Sequence, residues 1–243
     1  MILSGIDLPI LCALFCGGVV SGLTGFAFSA IAGVILLHLY PSSVAIPLMM
    51  FCSLFSQAVS YFKLRLDFDM RASVGLICGG CFGLPIGYVA YSALDQHLFR
   101  IIFGVFVSAY SAYMLCKPSS LSYRWLSHRS MATYVGLLGG FVGAITAMPG
   151  ALPTIWCDMQ GFSKEKRRAL TQPFIIFMQI AAFIIYLVGG KLSHELMKFA
   201  VEGAPAAAAG AVVGISLFRR ISENKARKAS LSLLLISGAM LVG

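Results

Sequence analysis

Charged side chains are missing from seven stretches of this sequence, 8–62, 72–94, 101–116, 130–157, 169–190, 203–218 and 229–243. Within each, apolar residues run on continuously instead of alternating, the pattern of helices and not of barrel strands. A helix that crosses a bilayer needs about 20 mostly apolar residues, so the first stretch must hold more than one element. It divides at Tyr40-Pro41-Ser42-Ser43, because proline ends helices and biases the preceding residue away from helical geometry. Eight segments result, at 8–39, 44–62, 73–93, 99–116, 131–157, 170–190, 200–218 and 229–243.

Composition removes the other classes. Charged residues make up 11% of the 243 positions, where a soluble domain carries about a quarter. With 59% hydrophobic residues and a mean hydropathy of +0.89, neither a soluble globule nor a disordered chain fits. The seven cysteines lie in apolar surroundings and read as small apolar residues rather than a disulfide framework. Cys78-Gly-Gly-Cys81 has the spacing of thiol oxidoreductases, but among Gly75, Gly79, Gly80, Gly83 and Gly87 it reads as a small-residue packing face. The start lacks a basic region and carries Asp7, so it does not read as a signal peptide. The expected class is an all-α integral membrane protein with no separate soluble domain.

A duplication runs through the chain. Gly18-Val-Val-Ser-Gly22-Leu-Thr-Gly25 returns in its glycine spacing as Gly136-Leu-Leu-Gly-Gly140-Phe-Val-Gly143, 118 positions later. Pro47 answers Pro173, and Gly83-Leu-Pro-Ile-Gly87 answers Gly210-Ala-Val-Val-Gly214 at an offset of 127. Pro47 and Pro173 are expected near the starts of their helices, where the first turn tolerates proline. Two four-segment repeats follow, residues 1–120 and 121–243, within a single membrane domain.

Basic residues decide how the repeats are oriented. If all eight segments cross, the 18 Lys and Arg split 8 to 10 between the two faces. If segments 1 and 5 instead dip in and return, one face holds 15 and the other 3. Cytoplasmic loops are the basic ones, so the dipping arrangement is expected, with three crossings per repeat, inverted copies and both termini outside the plasma (inner) membrane. Segment 1 supports it: Leu8–Ser21 and Phe26–Leu39 are each about 21 Å of helix, short of a ~30 Å core, with Gly22 and Gly25 at the join. Segment 5 crowds Gly140, Gly143, Pro149, Gly150 and Pro153 into its second half.

Matching broken helices in inverted halves mark a transporter substrate site near the midplane. Broken helix N-termini present free N–H groups and a positive dipole end, which suits an anion. All 18 basic residues fall outside the charge-free stretches, so no buried cation is expected to share that task. The candidate site joins Gly22, Thr24, Gly25 and Ser29 to Gly143, Thr146 and Pro149, with Thr154 nearby. Gln57, Gln172 and Gln179 wall it, since an amide facing lipid is costly and turns to the bundle interior. A lone hydroxyl often bonds its own helix, and a buried amide serves equally as glue between helices.

These residues resemble the TauE/SafE sulfite exporter family of membrane transporters, whose glycine-rich motif opens both halves of an eight-segment chain. Gly18, Gly22 and Gly25, then Gly136, Gly140 and Gly143, match its first three glycines, and Pro153 its closing proline. The motif's triple glycine is Phe28-Ser29-Ala30 in one copy and Thr146-Ala147-Met148 in the other, and no proline closes the first. The resemblance implies alternating-access transport of small oxyanions and organosulfur anions such as sulfite or sulfoacetate.

Two rival readings accompany it. A passive anion channel fits the duplication nearly as well. An intramembrane enzyme fits poorly: His194-Glu195 is followed by Lys198 where a zinc-protease motif has its second histidine, and the acids lie in loops or at segment ends. Neither cofactor nor metal is implied, the expected partners are the bilayer and a small anion, and the glycine faces of segments 3 and 7 leave a homodimer open. The basic loops lack the aromatic interleaving of a nucleic-acid surface.

Reporter fusions after residues 42, 68, 122, 162, 195 and 243 test the topology. External signals are expected at 42, 195 and 243 and cytoplasmic ones at 68, 122 and 162. A cytoplasmic 42 or an external 162 removes the dipping arrangement.

Overall fold

The computed structural model describes residues 8–64, 67–116, 129–190 and 192–220, with scattered positions between 228 and 239. Segment 8 therefore lies largely outside the described residues. Those described form helices α1 (Leu8–Thr24), α2 (Phe28–Leu39), α3 (Ser42–Leu64), α4 (Met70–Ser92), α5 (Gln96–Cys116), α6 (Arg129–Thr146), α7 (Ala151–Met159), α8 (Lys164–Val188) and α9 (His194–Arg220). Five of them, α3, α4, α5, α8 and α9, are long and apolar enough to cross a membrane. Phe82, Ile86, Val89, Val105 and Val201 are exposed along these helices, an apolar surface that lipid covers. The protein is an all-helical membrane protein.

Segments 1 and 5 are each two helices that fold back on themselves. A Cβ built at Gly17 would sit 3.0 Å from the Ala32 Cβ, although fifteen residues of unbroken helix would part them by about 22 Å. One built at Gly139 would sit 3.2 Å from Pro153 Cδ in the same way. The first reversal turns on Gly25, whose φ of +95° only glycine adopts at little cost. The second turns on Ala147, at φ +55°, followed by Pro149 and Gly150. α2 is apolar on every side and buried almost throughout, which places it in the middle of the bundle.

Glycine faces hold the bundle together. Gly79 and Gly83 of α4 lie directly on the backbone of Thr133 and Leu137 in α6, and Gly136 and Gly140 lie on Leu76 and Gly80 in return. On the other side Gly210 and Gly214 of α9 lie on Phe15 and Val19 of α1, and Gly18 and Gly22 lie on Ala207 and Ala211. These contacts correspond pair by pair, with α1 and α6 positions 118 apart and α4 and α9 positions 131 apart. Packing thus matches Gly210 and Gly214 to Gly79 and Gly83, one helical turn earlier than the offset of 127 read from spacing. Gly87 continues the four-residue glycine ladder, so spacing alone admits either turn. The same faces are spent within the chain and are not left for a second copy, while Cys78 and Cys81 point outward, away from the packing face.

Further differences concern α3 and α8. Pro47 and Pro173 lie inside their helices, not in a first turn. Proline at 173 cannot bond the Ala169 carbonyl, and the Asp69 N–H takes it instead at 3.1 Å. The Ser73 hydroxyl donates to the neighbouring Leu170 carbonyl at 2.8 Å. These bonds tie the 67–69 loop to the start of α8, bringing two of the basic connections to one end. α8 begins at Lys164 because Ser163 caps it, accepting from the Lys166 N–H.

Gly79→Ala and Gly210→Ala each drive a Cβ into a facing backbone carbonyl. Each is expected to lower stability by about 1–3 kcal/mol or more, against less than about 0.5 kcal/mol for the exposed Val213→Ala. Thermal unfolding in detergent measures this, and wild-type midpoints in both glycine variants would disprove the packing.

Candidate functional site

Helix breaks inside an apolar bundle release backbone groups that need partners. At the first break the Thr24 hydroxyl donates to the Val20 carbonyl at 2.9 Å and accepts from the Ala27 N–H at 3.2 Å, so it links the end of α1 to the turn that enters α2. The Gly25 carbonyl accepts from Gln57 Nε2 of α3 at 3.1 Å. At the second break Thr146 donates to its own helix at Val142, 2.8 Å away, as lone hydroxyls commonly do. Gly143 leaves room for Pro149, which would stand 2.7 Å from an added Cβ.

The two breaks touch. Ser29, in the first turn of α2, donates to the Ala147 carbonyl at 2.8 Å, and Phe26 packs beside Gly150. Ser29 and Ala147 are 118 positions apart, the offset that also relates the glycine motifs. Gly22 stands apart from this meeting, since its open face is filled by Ala211 and Ile215 of α9.

One face of α8 borders both breaks. Arg168, Gln172, Ile175 and Gln179 recur at helical spacing and form a stripe. Gly25 lies against Arg168, and Gly150 against Ile175. Gln172 is fully buried, and neither atom of its amide meets a protein partner. The Oε1 atoms of Gln57 and Gln179 and the hydroxyls of Ser21 and Ser60 are likewise buried without one. Orphaned polar groups cost about 1–3 kcal/mol each, a penalty that water or a ligand removes.

Arg168 overturns the expectation that no cation is buried. It is 3% exposed, and its Nη2 donates to the Gly22 carbonyl at 3.0 Å and the Leu23 carbonyl at 2.9 Å. A cation at these last carbonyls of α1 meets the negative end of the helix, and its plane lies 4.6 Å from the Phe218 ring. Reading the capping serine at 163 would have started α8 six residues earlier and carried Arg168 a turn inside. Its neighbour Arg167 is paired with Asp158 at the end of α7. No group of metal-ligating residues forms among the described residues. The arrangement offers one buried cation, several amide and hydroxyl groups and two helix N-termini, a set suited to an anion.

Comparison with known proteins agrees with this chemistry. The family described as Sulfite exporter TauE/SafE matches residues 10–241, and the chain belongs to it. No curated protein and no solved structure matches the chain. Family membership makes it a membrane transporter of the sulfite-exporter type.

Arg168→Met removes two charge-assisted bonds from the end of α1 and is expected to cost about 2–3 kcal/mol, while Ser29→Ala costs about 0.5–1.5 kcal/mol. Thermal unfolding in detergent ranks them. A Ser29→Ala loss larger than that of Arg168→Met would show that the guanidinium does not anchor α1.

Proposed function

We propose that this TauE/SafE family member moves a small anion, such as sulfite or an organosulfonate like sulfoacetate, by alternating access at the meeting of its two helix breaks. The observation that carries the reading is the bond from Ser29 to the Ala147 carbonyl. Positions that meet their own counterparts lie beside a two-fold axis, and in an inverted-repeat transporter that axis runs through the substrate site. Residues 1–120 and 121–243 are then the two repeats, and the pairwise correspondence of their glycine contacts supports this division.

In this reading the N-termini of α2 and α7 and the charge of Arg168 attract the anion. Gln172 supplies an amide with no competing partner, Gln57 and Gln179 each add an unpartnered amide oxygen that a water or a protonated ligand satisfies, and Thr24, Ser29 and Thr146 keep the breaks in shape. Gly25, Gly143 and Pro149 allow the backbone to approach the ligand closely. Gly22 acts one step removed, holding α1 against α9. Alternation moves one repeat against the other across the Ser29 contact, with the basic loops cytoplasmic and both termini external in the plasma membrane.

Flux into liposomes with a panel of sulfite, sulfoacetate and other sulfonates, with and without a pH gradient, tests this. Saturable flux with counterflow is expected, and non-saturating flux without counterflow would make the protein a channel. Gly25→Leu and Gly143→Leu are each expected to abolish flux, because one strains a positive φ and the other collides with Pro149. Near-normal rates in both variants would move the site elsewhere.

A further inference from the structure

A second polar site lies at the end of the bundle opposite the basic loops. A cavity of about 280 Å³ opens where the start of α3, the end of α4, the start of α5 and the end of α8 converge. Ser42, Ser43, Tyr88, Tyr91, Gln96 and Tyr186 line it, together with one further serine and two apolar residues. These are the connections that carry only 3 of the 18 basic residues, so positive-inside orientation puts the cavity on the external face.

Two independent features point to a ligand. Ser42 and Ser43 are the first residues of α3, a helix of 23 residues, so their N–H groups have no preceding turn to bond and sit at its positive end. Tyr186 is 98% buried, lines the cavity, and its hydroxyl meets no protein partner. Around it Tyr88 packs edge-on at 5.2 Å and Tyr91 at 6.1 Å between centroids, and the Tyr91 hydroxyl donates to Ser42 Oγ at 3.2 Å. These ring contacts hold the Tyr186 ring at the wall of the cavity. Among the described residues no carboxylate lines the cavity, and the adjacent Asp95 is held as the cap of α5, accepting the Leu98 N–H at 2.8 Å.

We propose that this cavity is an outer anion-binding site, a stopping point for the transported oxyanion on the external side of the central site. The ligand class is a small sulfur oxyanion, whose several acceptor oxygens match convergent O–H and N–H donors in a pocket without a fixed negative charge. The site rests on the transport reading above, and it concentrates substrate at the external mouth without taking part in the helix breaks.

Tyr186→Phe tests it, since only the hydroxyl is lost and the ring packing remains. Sulfite flux is measured from each face in right-side-out and inverted vesicles, with thermal unfolding of the same variant. The half-saturating sulfite concentration is expected to rise about tenfold from the external face, with the maximal rate and the cytoplasmic-face value unchanged. Stability is expected to stay level or rise, because an unpartnered hydroxyl is removed. An unchanged external value, equal rises from both faces, or a lower unfolding midpoint would each overturn the proposal. Absence of wild-type flux for any oxyanion defeats the transport reading alone. Titration of sulfite into the purified protein then decides the cavity, with binding heat diminished in Tyr186→Phe expected and heat identical to wild type overturning it.

Discussion

Water is absent from the interior of a bilayer, so every backbone group released by a helix break must find a partner within the protein. That constraint governs the centre of this molecule. α1 ends in the apolar interior, and its last carbonyls are met by Arg168; the turn that follows is met by Thr24 and Gln57. Its counterpart, between α6 and α7, presents the Ala147 carbonyl to Ser29. Each break is therefore completed by side chains from elsewhere in the fold, and the polar cluster that completes them forms the candidate site.

Partners for the breaks arrive only because the helices approach closely. α1 meets α9, and α6 meets α4, through glycines whose missing side chains let backbones touch. In both pairs a helix from the first half of the chain packs on one from the second, so the halves interlock rather than stand side by side. This exchange places the two breaks back to back and turns the polar stripe of α8 toward both. It also explains why α2, the shorter arm of the first hairpin, is buried on all sides although it is too short to cross a membrane.

Charged groups are rare in this chain, and several of its uncharged polar groups are buried. Gln172, Gln57, Gln179, Ser21 and Ser60 retain buried atoms without protein partners near the centre, and Tyr186 does so at the external end. A fold that only had to be stable would pair or discard such groups. Such groups are the ones that a bound water or ligand satisfies.

Much of the architecture was legible before any coordinates. Runs of uncharged residues marked the helices, Pro41 divided the first two segments, and Gly25, Pro149 and Gly150 marked the breaks, because these signals are local and chemical. Of the candidate residues, Gln57 bonds the Gly25 carbonyl and Ser29 bonds the second break, whereas Gly22 serves α9 and Thr146 bonds its own helix. Arg168 was missed because a charge at the edge of an apolar run looks solvated, and only the path of α8 past the end of α1 buries it. Tyr88, Tyr91 and Tyr186 are ordinary aromatic residues in sequence, separated by up to 98 positions. What the sequence determined by itself was where helices form and where they fail, since propensity and hydropathy act within a few residues. What the tertiary structure decided was which break faces which, the register of the glycine ladders and which polar groups are left unpaired, because these depend on contacts between distant segments that no local pattern encodes.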